Sequence, residues 1–244
     1  MSLIIPDWPA PANVRACSTT RIGGFSQAPW NSLNLGAHVR DCPQTVQKNR
    51  ELLCGLAGLP AMPDWLTQVH GTDVQSLPAV STGPLIADAC QTTLSGQVCA
   101  VMTADCLPVI FCSADGRQVA AAHAGWRGLC QGVLEKTLAE FSCPPSEILA
   151  WMGPAIGPQA FEVGPEVRDA FIAVDPVAEQ AFLPYNDNGK YMADLWLLAR
   201  QRLTRAGVNS VSGGGRCTYT ESEYFFSYRR ESNTGRMATL VWLI

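Results

Sequence analysis

The stretch TADCLPVIFCSADGRQVAAAHAGWRGL, residues 103–129, decides how this chain folds. Leu107–Cys112 and Gln118–Ala122 are apolar enough to be buried strands, and Asp115-Gly116 lies between them. An Asp-Gly pair between two such runs is a strong hairpin signal, because it suits the positive φ of a tight turn. The hairpin would bring Cys106, before its first strand, close to His123, after its second. The chain has only three histidines, at 38, 70 and 123, so one placed beside Ala-Gly-Trp-Arg-Gly calls for a reason.

Working outward, Gln97–Thr103 reads as a further buried strand. From Arg127 to Phe141 the period becomes helical, with Leu129, Val133, Leu134, Leu138 and Phe141 on one face and Pro144-Pro145 as the stop. Ile148–Met152 is a strand that leads into the loop GPAIGP. Upstream, the pattern predicts a strand at Val14–Thr20, a turn-rich loop RIGGFSQAPWNSLNLGAHV, a helix at Thr45–Gly58 and a short strand at Trp65–Val69. Downstream, it predicts helices at Pro165–Val174 and Ala193–Ala206, the latter closed by Gly207. Strands follow at Val208–Val211, Tyr224–Tyr228 and Met237–Leu243. Strand pairs close in sequence, with helices between the groups, predict an α+β fold of mixed β-sheets sandwiched with helices. No repeat, low-complexity tract or long linker divides residues 1–244, which read as a single domain.

Composition narrows the function. The net charge is −4 and the 17 Lys+Arg residues are scattered, which argues against a nucleic-acid partner. The start MSLIIPDWPAPANV lacks a basic segment, and Pro6 interrupts its short apolar run. Neither a signal peptide nor a membrane span is expected, so the cytoplasm is the expected compartment. The ten cysteines then read as thiols, and none forms a C-x-x-C pair.

His70, Cys106 and His123 are each expected where a strand gives way to a loop. Two imidazoles and a thiolate suit zinc, and three protein ligands leave a fourth position open, as in catalytic sites. Asp105, next to the cysteine, is a candidate partner to the ligands or a general base. A lone His or Cys in an apolar segment is more often simply part of the core. Spacing alone therefore leaves the metal reading open. The remaining cysteines read as core or surface thiols, with Cys42 and His38 in a polar, solvated loop. Arg127 and Arg229 are candidate phosphate ligands, because a guanidinium fork matches an oxyanion.

Several motifs go further: QVHG (68–71), ADA (87–89), TADCLPV (103–109), AAHAGWRGL (121–129), GPAIGPQAFEVG (153–164), and FFSYRR with TGRMA near the end. Together with TTRIGGFS and SLNLG, they closely resemble the bacterial YfiH-type family across essentially the whole chain. This family is also known as laccase-domain or polyphenol oxidase-like proteins and as purine nucleoside phosphorylases. The resemblance implies a metal site at His70, Cys106 and His123. It also implies phosphorolysis of adenosine, inosine or methylthioadenosine, deamination of adenosine, and nucleoside and phosphate as small-molecule partners. One departure stands out: the loop after NLG often carries Gly-Asp in the family, and here reads Arg40-Asp41.

Zinc is the expected cofactor and Cu2+ the alternative, since a His2Cys set also resembles a blue-copper site. A multicopper oxidase needs far more histidines than three, so a laccase-like polyphenol oxidase ranks second. The H-x-E and P-C-x-x-C signature of zinc nucleobase deaminases is absent. Two further readings stay open: a cysteine hydrolase with a Cys106–His123 dyad, and a non-catalytic metal-binding protein.

Overall fold

The computed structural model describes residues 3–80, 83–186 and 189–244. The hairpin is present at its centre: Leu107–Ser113 (β5) pairs antiparallel with Val119–Ala124 (β6). Around it lie Val14–Ser18 (β1), Pro43–Ala57 (α1), Val74–Ser76 (β2), Ala89–Thr92 (β3) and Val98–Thr103 (β4). After it come Trp126–Gln131 (α2), Val133–Ala139 (α3), Ile148–Met152 (β7), Glu162–Val163 (β8) and Pro165–Val174 (α4). The chain then forms Phe182–Tyr185 (β9), Lys190–Ala193 (β10), Leu195–Arg205 (α5), Ser210–Gly213 (β11) and Met237–Leu243 (β12).

Six strands form one sheet in the order β11-β7-β5-β6-β3-β2. Its inner pairs are antiparallel, whereas β11 runs parallel to β7 and β2 to β3, so the sheet is mixed. A second, antiparallel sheet has the order β1-β12-β4, and a small third one the order β8-β10-β9. The α+β expectation holds.

Side-chain alternation along the strands explains the layering. Leu107, Val109 and Phe111 of β5 face α2, α3, α4 and α5, packing with Leu129, Leu134, Phe171 and Leu198. Ile110 and Cys112, on the other face, meet Cys99 and Val101 of β4 and Val241 of β12. The far side of that second sheet, through Ala100, Met102 and Leu240, packs on Leu53 of α1 and on Leu33 and Leu35. The order is thus helix, sheet, sheet, helices. Strands β4, β5, β6 and β12 are buried on both faces, which is why their sequences are almost wholly apolar. Among the described residues, no helix is long and apolar enough to cross a membrane.

The expected helix from Arg127 to Phe141 is two helices. Gly132 breaks it with φ 97° and ψ 31°, and its N–H caps α2 by donating to the carbonyls of Gly128 and Leu129. The apolar stripe continues across the break, so periodicity alone does not reveal it. Trp65–Val69 is not a strand: only Thr67 makes a bridge, to Ile86. Tyr224–Tyr228 is also not a strand but a run of turns and irregular backbone that buries Phe225 and Phe226. Arg40, where the resemblance leads one to expect glycine, has φ 66°. The loop therefore keeps a left-handed residue there, followed by the buried Asp41, which accepts from Ser26 Oγ (2.6 Å) and Asn34 Nδ2 (2.9 Å).

A Cβ at Gly132 would make only ordinary contacts, so backbone conformation sets the cost of substitution there. Gly132→Ala is expected to destabilise by about 1–2 kcal/mol and to lower Tm by roughly 2–8 °C. Gly132→Asn should cost less, because Asn tolerates this region. Thermal denaturation of both variants checks this, and an alanine variant as stable as the parent contradicts it.

Candidate metal centre

Strand register places two of the three donors. Pro108 pairs with His123 across β5 and β6, so Cys106, two residues before Pro108, lies at the same end of the hairpin as His123. His70 reaches them from the loop after Gln68, whose side-chain amide clamps that loop to β4. Gln68 Nε2 donates to the Met102 carbonyl (2.8 Å), and the Met102 N–H donates to Gln68 Oε1 (2.7 Å). The side-chain amide thus does the pairing that a strand backbone would have done. The ligand atoms of His70, Cys106 and His123 all lie within 4.8 Å of one another. His70 Nε2 and Cys106 Sγ are 3.8 Å apart, and the two imidazoles meet edge-on with ring centres 4.9 Å apart. Tetrahedral zinc bonded to nitrogen and sulfur would set its donors roughly 3.3–3.8 Å apart. The three side chains fit such an ion with small adjustments.

The sequence reading passed over the residue that holds them. Asp88, fully buried, accepts from the N–H groups of Val69 (3.1 Å), His70 (2.9 Å) and Gly71 (2.6 Å). Its Oδ1 also lies 2.8 Å from His123 Nδ1, and its carbonyl accepts from the His123 N–H. One carboxylate thereby sets the orientation of one ligand and the backbone of another. His70 has φ 61°, an uncommon conformation for a side-chain-bearing residue. The three N–H groups aimed at Asp88 are what keep it there. With Nδ1 donating to Asp88, His123 turns Nε2 toward Cys106, the arrangement of a carboxylate–histidine–metal triad. A signal was present in the sequence: a lone acid in LIADAC has to find strong partners if it is buried.

Gly125 closes the floor. A Cβ there would stand 2.9 Å from His70 Cδ2 and 3.1 Å from Cys106 Sγ, so the backbone approaches the donors more closely than any side chain permits. Burial opposes charge on both Cys106 and His123, but their partners outweigh it. His123 and His70 bring the Cys106 thiol down to about 6. Cys106 and Asp88 raise the His123 imidazole to about 9. Asp88 is itself held below the usual carboxylate range: burial works against this, and the bonds to His123 and to the backbone prevail.

The donors form one wall of a cavity of about 440 Å³, which also has Phe161, Tyr228, Asp105, Arg229, Arg236 and His38 on its walls. Asp105 has φ 94°, and both of its carboxylate oxygens are taken, by Thr218 Oγ1 (2.7 Å) and the Arg229 N–H (2.7 Å). Arg229 Nη1 donates to the Glu162 carbonyl (2.9 Å), and its guanidinium lies over Phe161. Arg127 stands apart: it is exposed, lies over the Trp126 ring, and does not line the cavity. His38 is exposed as expected, yet borders this cavity. Arg236, which the sequence reading did not single out, is the second arginine on its wall.

In metal-free protein, Cys106 should react with iodoacetamide as a thiolate, with the rate rising through pH 6 and levelling off above it. A bound divalent ion should protect it. Peptide mapping of the alkylated cysteines checks this, and a rate that rises only near pH 9, or no protection by metal, contradicts it.

Known proteins resemble this chain along nearly its whole length. A family model described as "Multi-copper polyphenol oxidoreductase laccase" matches residues 15–244. A protein of Escherichia coli (strain K12) called "Purine nucleoside phosphorylase YfiH" is 59% identical over 242 residues, covering 99% of both chains. A purine nucleoside phosphorylase of Pseudomonas aeruginosa is 55% identical, covering 98% of both. A crystal structure of a Neisseria meningitidis protein superposes with a TM-score of 0.95 at 51% identity, covering 100% of this chain and 99% of that one. Sequence, fold and the His–Cys–His cluster converge: the chain belongs to the YfiH-type laccase-domain family.

Proposed function

We propose that the chain is a metal-dependent purine nucleoside phosphorylase, with zinc held by His70, Cys106 and His123. The observation that carries this reading is the cavity of about 440 Å³ where three metal donors, two aromatic rings and two arginines meet. Its volume falls in the range of small-molecule sites. The names given to relatives at 59% and 55% identity support the same reading. Inosine, adenosine and methylthioadenosine are the proposed substrates, with adenosine deamination as a second activity of the same cavity.

In phosphorolysis an oxygen of orthophosphate bonds to C1′ of the ribose while the bond from C1′ to the purine nitrogen breaks. The base leaves with the electron pair and takes up a proton. When bound, the metal supplies a Lewis acid beside the substrate. The residues of the chain do the positioning. Phe161 and Tyr228 offer faces for a purine ring, and Arg229 contributes positive charge at the same wall. Arg127 lies outside the cavity, which leaves Arg229 as the better placed of the two sequence candidates. Of the two roles expected for Asp105, partner to the ligands or general base, its occupied oxygens suit the first: a positioning residue that joins the Cys106 turn to Thr218 and Arg229. A copper oxidase with a trinuclear cluster would need several more imidazoles, and the one histidine left over is His38.

Metal-loaded protein with inosine and orthophosphate should release hypoxanthine and ribose-1-phosphate in equal amounts. Cys106→Ala should lower that rate by roughly 100-fold or more, beyond the 10–100-fold typical for losing a group that only supports a ligand. Free ribose in place of ribose-1-phosphate, or full activity in Cys106→Ala, would overturn the reading. Turnover that survives chelation but not thiol alkylation would instead favour a cysteine hydrolase.

A further inference from the structure

Arg236 is held unusually firmly for a side chain with donors to spare. Its backbone N–H donates to Asn34 Oδ1 (2.9 Å), and its carbonyl accepts from the Leu35 N–H (3.2 Å). Gly36 packs on its stem so closely that a Cβ there would lie 2.8 Å from Arg236 Cγ. The Tyr228 ring lies on another side, 5.9 Å from the guanidinium carbon. Nη1 spends its hydrogens on the carbonyls of Thr234 (3.1 Å) and Gly235 (3.0 Å).

That leaves Nε and Nη2. Among the described residues neither has a hydrogen-bond partner, and no carboxylate forms an ion pair with Arg236. The N–H groups of Nε and Nη2 are the edge of a guanidinium that grips an oxyanion in two-point fashion. Burial depresses the basicity of Arg236 and outweighs the nearby Cys106, Asp105 and Tyr228, which act the other way without bonding to it. The one carboxylate on the cavity wall, Asp105, has both oxygens engaged elsewhere. His38 and Arg229 border the same space. Apart from the Cys106 sulfur of the donor cluster, the cavity wall therefore carries no acidic group with an unengaged oxygen, while Arg236 presents unused donors to it.

We propose that Nε and Nη2 of Arg236, flanked by His38, form the subsite that binds orthophosphate next to the His70–Cys106–His123 cluster. A tetrahedral oxyanion is what the donor geometry selects; naming it as orthophosphate rests on the phosphorylase reading above. The main-chain ties to Asn34 and Leu35 fix Arg236 before the anion arrives, so little side-chain ordering remains to be done on binding. The segment SLNLGAH, residues 32–38, thereby gains a role: it carries His38 and holds Arg236.

The test uses the metal-loaded full chain and its Arg236→Gln, Arg236→Lys and Arg117→Gln variants. Arg117 lies on the exposed hairpin turn and controls for the change in net charge. Orthophosphate binding is measured calorimetrically without nucleoside, and KM for phosphate and for inosine by turnover. Arg236→Gln should weaken phosphate binding and raise phosphate KM by about tenfold or more. Inosine KM should stay within about twofold, and Arg117→Gln should behave as the parent. Arg236→Lys keeps the charge but loses the fork, so an intermediate value is expected. Unchanged phosphate affinity in a folded Arg236→Lys or Arg236→Gln variant overturns the proposal. So does an effect confined to a nucleoside 5′-monophosphate. If the parent binds phosphate, Arg236→Gln does not, and nucleosides are never cleaved, the subsite stands and the phosphorylase reading falls. If nucleosides are cleaved and Arg236 variants are indifferent to phosphate, the reverse holds.

Discussion

The site depends on one buried carboxylate. Asp88 sits where β3 begins, accepts three successive N–H groups from residues 69–71, and bonds His123 through both side chain and backbone. Hydrogen bonds to a charged acceptor are worth about 1.5–3 kcal/mol each. Their sum exceeds the roughly 1–3 kcal/mol that a residue such as His70 costs in a left-handed conformation. Without Asp88, the N–H groups of residues 69–71 lose their common acceptor, only the Gln68 clamp ties that loop to β4, and His123 Nδ1 loses its partner. Gly125 completes the arrangement by leaving room for three donors at the mouth of a hairpin.

The rigid part of the molecule explains why so small a set of contacts suffices. Cys106 and His123 belong to a hairpin buried between helices on one side and a second sheet on the other. Strand pairing fixes their separation, because a register shift would turn every buried side chain to the wrong face. Cys106 sits in the short bend just before β5, and His70 comes from a loop outside the hairpin, where Asp88 and Gln68 concentrate their hydrogen bonds. The anion-binding side is built in a similar way, with Arg236 held by main-chain contacts to Asn34 and Leu35.

Much of this was legible in the sequence where the signal is local. The apolar runs and the Asp115-Gly116 turn give the central hairpin, and Ile148–Met152, Pro165–Val174 and Met237–Leu243 fall where pattern and breakers put them. His70, Cys106 and His123 stood out as candidate donors, but spacing alone left their role open and the family resemblance was needed to favour a metal; the strand expected before His70 is absent. What escaped depends on contacts between distant segments. β2, β8, β9 and β10 have only two to four residues each, too few for a period to show. Gln68 takes the place of strand pairing with its side chain, and Phe225, Phe226 and Ser227 are buried without forming a strand, so apolar content misled there. Asp88 was hidden in a motif noted only for resemblance, because its partners lie 17–19 and 35 residues away. Arg236 looked like any surface arginine until its unused donors and the cavity were seen together.

The claim that Asp88 organises the metal donors is tested most directly by the zinc affinity of Asp88→Asn, measured by competition with a chelating dye. Asn keeps the size and one acceptor oxygen but loses the charge and the second acceptor. The account predicts a folded protein whose zinc affinity falls by about 10–100-fold, the usual effect of removing the partner of a ligating histidine. A folded Asp88→Asn protein that binds zinc as tightly as the parent would contradict it.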